Sequence, residues 1–286
     1  MPLFGTVEIG GTKVDVSVGT SPADLAEPHR IDTTTPEETL GAVNAFLAGH
    51  SPDAIGVASF GPLDLDPASA TRGRILSTPK PGWSDADVLG TIASGASVPV
   101  AIDTDVNGAA LGEGRWGAAT GMSDFTYVTV GTGIGAGIVV GGEVIGGERH
   151  PETGHIVVAR VDEDTFDGVC PYHGDCLEGM ASGPALEARF GRSETWAGNG
   201  AVLRLVTGYV AQLVRDLVYT VAPERIIVGG GVSKLPGFHD GLRARAGSLL
   251  GDYPEEPDLD LLVSRPGLGD RSGLAGGLVL AERALG

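Results

Sequence analysis

The chain has two cysteines, and both fall in one short stretch, Cys170-Pro-Tyr-His173-Gly-Asp-Cys176. His173 stands three residues from each, and His155 lies upstream in Glu152-Thr153-Gly154-His155. Two thiolates and two imidazoles suit tetrahedral zinc, and four protein ligands would leave the ion no open position for chemistry. The bland alternative is a pair of buried thiols beside unrelated histidines. His29, His50, His150 and His239 lack such clustering and read as surface residues.

A second constellation is built from glycine turns and one acid. Gly10-Gly11-Thr12-Lys13 and Gly131-Thr132-Gly133-Ile134-Gly135 have little side-chain bulk, so backbone N–H groups there could close on phosphate oxygens. Neither is a Walker loop or a dinucleotide fingerprint in its strand-to-helix setting, and each alone could be a plain hairpin turn. Asp105, in Ile102-Asp103-Thr104-Asp105-Val106-Asn107, follows a short apolar run and precedes a helical pattern. An acid at that end of a strand could take the proton of an attacking hydroxyl, or Asp103 or Asp105 could simply cap the helix. Gly229-Gly230-Gly231-Val232-Ser233 would let a flat ring lie against the backbone, or would serve as a tight strand-to-helix turn.

These residues need elements to hold them. Leu3–Val7 and the alternating Val14, Val16 and Val18 read as a hairpin closed by Gly10-Gly11. Thr35-Pro36-Glu37-Glu38 opens a helix carrying Leu40, Val43, Phe46 and Leu47. Ala54–Ser59 and Val98–Ile102 are strand candidates, followed by a helix from about Asn107 to Trp116. The second half repeats this grammar. Phe125–Val130 and Ala136–Val140 are strands, residues 201–222 form the longest helix with Val202, Val206, Val210, Leu213, Leu217 and Val221 on one face, and Arg225–Val228 is a strand. Leu249–Asp260 reads as a surface loop and Ser272–Leu285 as a final helix.

Composition narrows the class. The 286 residues carry 19 Lys+Arg against 37 Asp+Glu, a formal net charge of −18. That balance argues against nucleic acid and anionic membranes as partners. No run approaches a membrane span, and MPLFGTVEIGGTK is not laid out as a signal peptide, so the cytoplasm is expected.

Taken in order, Glu8–Lys13, Asp105 with Asn107 and Leu111-Gly112-Glu113, Thr129–Gly135, Glu152–His155, Cys170–Glu178 and Gly229–Ser233 resemble the ROK family of sugar kinases and repressors. The resemblance spans nearly the whole chain. It implies an α/β, two-lobed actin-like ATPase (ribonuclease H-like) fold with a central cleft, one lobe from residues 1–115 plus 268–286 and the other from 116–267. Glu8 in place of the usual Asp, with Ser59-Phe60-Gly61-Pro62-Leu63-Asp64 and Thr78-Pro79-Lys80-Pro81-Gly82-Trp83, is similar to the bacterial fructokinase branch. So is the metal motif, where most of the family has a third cysteine.

The resemblance implies roles. Asp105 would be the general base, and Gly11, Thr12, Lys13, Thr132 and Gly133 would surround the ATP phosphates. Pro184 and Gly229, Gly230, Gly231, Val232 and Ser233 would lie near the adenosine. Glu152, His155, Glu178 and Asn107 would meet sugar hydroxyls. His155, Cys170, His173 and Cys176 would bind structural Zn2+. Mg2+ would accompany ATP, oriented by Glu8 or Asp103. The expected reaction is ATP-dependent phosphorylation of a hexose, fructose favoured, with glucose, mannose or an N-acetylhexosamine as alternatives. A non-catalytic sugar sensor is a further alternative, disfavoured because the chain begins a few residues before its first strand, without room for a helix-turn-helix. A homodimer is implied by resemblance and by no residue pattern.

Overall fold

The computed structural model describes residues 1–146, 149–251 and 257–286. The chain divides into two units. The first comprises Met1–Gly121, Val144–His150 and Gly267–Gly286, the second Met122–Glu143 and Pro151–Pro266. Residues 144–150, inside the span expected above for the second lobe, thus belong to the first unit.

In the first unit, β1 (Phe4–Ile9), β2 (Lys13–Gly19) and β3 (His29–Asp32) precede α1 (Pro36–His50) and β4 (Ala54–Ser59). Next come α2 (Val88–Ala96), β5 (Val100–Thr104) and α3 (Asp105–Trp116). The sheet order is β3-β2-β1-β4-β5, antiparallel through the hairpin and parallel across β1, β4 and β5. Ile9 pairs with Ser59, and Ser59 with Thr104, so the carboxyl ends of three parallel strands are level. Such an end is where open α/β sheets place their ligands.

Thr35 caps α1, accepting from Glu38 N at 3.3 Å, with Pro36 in the first turn, as the sequence pattern predicts. The alternating valines of β2 suggest one wet face, yet Asp15 and Ser17 are buried too. Ser17 Oγ donates to Ala26 O at 2.8 Å, and Arg30 covers Asp15, so the polar face is roofed by the segment that leads into β3.

The second unit holds β6 (Phe125–Val130) and β7 (Ile134–Val140), with β8 (Glu143–Val144) at its boundary in the chain, then α4 (Leu177–Ala181), α5 (Gly183–Phe190) and α6 (Gly200–Thr220). It ends with β9 (Arg225–Gly229), α7 (Phe238–Leu250), α8 (Leu259–Leu262) and β10 (Val263–Ser264). The order β10-β9-β6-β7-β8 repeats the hairpin-plus-parallel pattern of the first sheet.

Asn199 caps α6 through Ala201 N and Val202 N. The apolar stripe is buried except Val221, which falls at the helix end. A second face is buried as well, because the 159–164 segment lies on it. Gln212 brackets Ala159 N and O at 2.7 and 2.9 Å, and Tyr209 donates to Asp164 at 2.7 Å. The expected loop at 249–260 is narrower than that. α7 runs to Leu250, α8 starts at Leu259, and residues 252–256 lie outside the described residues.

The chain returns to the first unit as α9 (Ser272–Leu285), packed on α3 and β4. A Cβ on Gly276 would overlap Gly108 O, so the two helices touch backbone to backbone. Glu113, fully buried at the end of α3, ties this junction together. Its Oε2 accepts from Ala118 N and Gly267 N at 2.7 and 2.9 Å, and its Oε1 from Leu268 N and Ser272 Oγ at 3.0 and 2.6 Å.

Candidate active site and metal centre

Asp105 is the first residue of α3, but it is not the cap. Thr104 takes that role, its hydroxyl accepting from Asn107 N at 3.2 Å, while Asp105 Oδ1 accepts from Val106 N at 2.9 Å. Asp103 Oδ1 accepts from Thr104 N and from Asn107 Nδ2, both at 2.7 Å. Burial raises the Asp103 carboxyl above its ordinary range, against the pull of these bonds and of the charges of His150 and Arg283. Asn107 is buried and spends its amide on Asp103, so Asp103 is the more open of the two at this strand end.

The first glycine turn lies beside it. Gly10 N donates to Lys13 O at 2.9 Å, and Thr33 meets the turn's carbonyls, N to Thr12 O and Oγ1 to Gly10 O. Nothing lies within 4 Å of where a Cβ on Gly11 would be, which leaves its backbone open. Lys13 Nζ donates to Asp15 at 2.6 Å, and Arg30 Nε donates to the other oxygen at 2.8 Å. Burial opposes the Asp15 charge, but these two cations hold its carboxyl below the usual range. Glu8, next along β1, goes the other way. Burial and the nearby Asp105 push it up to about 7, with Lys13 pulling down and Asp15 and Asp270 pushing up.

The segments at 59–64 and 78–83 are anchored to the same strand ends. Phe60 N donates to Ile9 O at 2.8 Å, Trp83 Nε1 to Thr34 O at 2.8 Å, and Lys80 Nζ to Thr33 O at 3.0 Å. Phe60 meets the fully buried Trp83 edge-on, 5.3 Å between centroids.

In the second unit the other glycine turn sits between β6 and β7. Gly131 N donates to Gly133 O, and Ile134 N to Glu178 Oε2, each at 2.9 Å. Glu178 therefore holds this turn from α4. Thr132 is exposed at the tip, and Gly183 N donates to Gly131 O at 2.7 Å, which brings the start of α5 and the exposed Pro184 alongside. Gly230 has φ +88°, and a Cβ there would overlap Val130 backbone atoms, so only glycine fits. Val232 and Ser233 are buried and Ser233 Oγ donates to Gly230 O, so their side chains serve the loop; Gly229 is buried in the sheet, and Gly230 and Gly231 reach the surface.

The four zinc-type residues converge. The ligand atoms of His155, Cys170, His173 and Cys176 lie within 4.8 Å of one another. His155 Nδ1 is 3.6 Å from each sulfur, and His173 Nδ1 is 3.8 Å from Cys170 Sγ. Metal–sulfur bonds of about 2.3 Å and metal–nitrogen bonds of about 2.1 Å require a tetrahedron with edges of about 3.6 Å, so the donor set fits zinc. The scaffold is a knuckle in which Cys170 and Gly174 exchange backbone hydrogen bonds at 3.1 and 2.9 Å, and a Val157–Cys176 bridge. Without metal, burial pushes the Cys176 thiol up to about 11.

Glu152 precedes the 3-10 turn Thr153–His155. Burial raises its carboxyl, with His155 lowering and Glu178 raising it, so these three predicted sugar contacts act on one another. His155 faces the sulfurs through Nδ1, which leaves Nε2 for a second partner.

Two histidines were misjudged by spacing alone. His239 is 1% exposed on α7, its Nε2 at 2.9 Å from Val228 O, because α7 packs behind β9. His150 is half-buried and accepts Leu63 N at Nε2, 3.0 Å away. A buried Arg189–Asp164 pair (2.6 Å), with Arg189 stacked 4.1 Å over Phe166, has no mark in the sequence, since its partners lie 25 residues apart.

The geometry can be set beside known proteins. A fructokinase of Pediococcus pentosaceus is 40% identical over 284 residues, 99% of both chains. A fructokinase of Zymomonas mobilis is 40% identical over 292 residues, 99% of this chain and 97% of its own. A crystal structure of a Streptomyces griseus ROK family glucokinase with glucose and AMPPNP superposes with TM-score 0.81 at 27% identity, covering 98% of this chain and 99% of its own. The two α/β units therefore adopt the actin-like ATPase fold of sugar kinases. With the ROK family profile matching residues 4–284, from the first strand to the end of α9, this chain belongs to the ROK family.

Proposed function

We propose that this protein transfers the γ-phosphoryl group of ATP to a hydroxyl of fructose, giving fructose 6-phosphate. The observation that carries the chemistry is the division of labour at Thr104 and Asp105. Thr104 caps α3, so Asp105, whose Oδ1 accepts from Val106 N, is not needed as the cap and stands where three strand ends are level. Asp105 accepts the proton of the attacking sugar hydroxyl, and that hydroxyl's oxygen bonds to the γ-phosphorus as the bond to the departing ADP breaks. Full-length similarity to fructokinases supports fructose over other hexoses.

Gly11, Thr12 and Lys13, and Thr132 and Gly133, receive the phosphates through backbone N–H groups and the Lys13 charge. Pro184 and Gly229–Gly231 lie along the adenosine. Glu152, Glu178 and the Nε2 of His155 bind sugar hydroxyls, and Asp103, held by Asn107, does the same from the other strand end. Mg2+ neutralises phosphate oxygens when bound. Its donor set fits Glu8 better than Asp103, because Glu8 is the carboxylate crowded by Asp105, Asp15 and Lys13 beside the glycine turn.

His155, Cys170, His173 and Cys176 would hold zinc, whose contribution is to order the loop that carries Glu152 and Glu178. Among the described residues no helix is long and apolar enough to cross a membrane. The reading places the enzyme in the cytoplasm and, by family resemblance, in a homodimer. The test is a coupled ADP-release assay with fructose, glucose and mannose. Fructose should give the highest kcat/KM, and a clear preference for glucose would overturn the fructose assignment.

A further inference from the structure

His150 reads as an ordinary surface residue in the sequence, and the structure gives it a defined job. Residues Val144–His150 belong to the first unit although both flanking stretches belong to the second. The last residue of that excursion reaches the turn after β4. Most of this turn is held by backbone. Phe60 N donates to Ile9 O, Leu76 N to Pro62 O and Asp64 N to Arg74 O, at 2.8, 2.7 and 2.9 Å. The N–H of Leu63 instead goes to a side chain remote in sequence, Nε2 of His150, at 3.0 Å.

The fit around this bond is close. Leu63 is 2% exposed, and a Cβ on Gly61 would stand 3.4 Å from both Cε1 and Nε2 of the imidazole. Because Nε2 accepts, the neutral ring carries its proton on Nδ1. The Oδ1 of Asp103 is itself fixed by Thr104 N and Asn107 Nδ2. Ser59 pairs with Thr104 in the sheet, so the 60–63 turn and Asp103 emerge from adjacent strand ends. One imidazole thus holds the turn that emerges beside the strand end carrying Asp103.

We propose that His150 is a positioning residue for the sugar, setting the Phe60–Leu63 turn against Asp103 so that both present a fixed polar edge to the hexose. The proposal rests on the hexose-kinase reading above. It requires an acceptor at the position of Nε2 and does not require a charge.

The experiment compares His150→Ala with His150→Gln, whose amide oxygen can restore the acceptor, by steady-state kinetics and by calorimetric titration of fructose. Leaving Leu63 N–H unsatisfied next to the site should raise the fructose KM and Kd about ten- to a hundredfold. The ATP KM should stay within about twofold, because the glycine turns are untouched. His150→Gln should recover most of the fructose affinity. Unchanged fructose Kd in His150→Ala would overturn the inference, as would equal loss in both variants or a matching rise in ATP KM. Failure of the kinase reading shows separately, as fructose binding by the wild type without ADP release.

Discussion

The two units hold their functional residues by different means. In the first, Asp103, Asp105 and Glu8 sit at the ends of buried parallel strands, and the helix behind them is locked to α9 by glycine contacts and by Glu113. In the second, Glu152, His155 and Glu178 lie in or beside a long stretch whose only regular pieces before α4, among the described residues, are the short β8 and a three-residue 3-10 turn. Its backbone is pinned by scattered bonds, and its chemistry-bearing ring faces two sulfurs and a second histidine. Burial orders one set of residues. Zinc at the proposed site would order the other, because that stretch buries few apolar side chains of its own. The second turn joins these two modes, since Glu178, two residues after Cys176, holds Ile134 N.

The comparison can be broken from either side. The largest effect should come from Asp105→Asn, which keeps the strand-to-helix junction because Thr104 is the cap, yet removes the base. We expect kcat to fall about 10²–10⁴-fold with sugar binding retained, measured by steady-state kinetics and calorimetry. Near-native kcat would move the base elsewhere. Next is Cys176→Ser, or chelation, which should raise fructose KM by up to about 10²-fold through misplacement of Glu152 and Glu178. ATP binding should survive, and unchanged sugar KM in zinc-free protein would contradict the account.

Glu8 gives a sharper, smaller effect. Its carboxyl is raised to about 7 in the folded chain, above its ordinary value of 4.5, so the folded state holds a proton that the unfolded state releases. Its contribution to stability is therefore full below about 4.5 and lost as pH rises through about 7. In Mg2+-free buffer, urea unfolding should show stability falling across that window, and Glu8→Gln should flatten the slope. The smallest effect is expected from Thr104→Ala, about 1 kcal/mol from loss of the α3 cap, read as a lowered urea midpoint. A loss in the same range from Asp105→Ala, with Thr104→Ala silent, would return the capping role to Asp105.

Much of this was legible in the sequence because it is local. The glycine turns, the Thr35 cap, the long helix and the Cys/His spacing are each written within a few residues. What was not legible depends on residues far apart. Asp15 and Ser17 look solvent-facing until Arg30 and Ala26 cover them. His150 looks isolated until Leu63 reaches it, and Glu113, named only as part of a motif, has no visible task until residues 118 and 267–272 close on it. The choice between Asp103 and Glu8 for Mg2+ could not be made from spacing, since both flank glycine or strand ends. We propose Glu8 for that role on its charged neighbours, which come from α3, β2 and the approach to α9.

Hydrogen exchange on the intact protein, before and after zinc removal by chelation, reads both means of ordering at once. The account predicts that amides in 152–178 lose protection while those in β5, α3 and α9 keep theirs. Equal loss in both units, or full protection of 152–178 in protein shown by elemental analysis to hold no zinc, would contradict it.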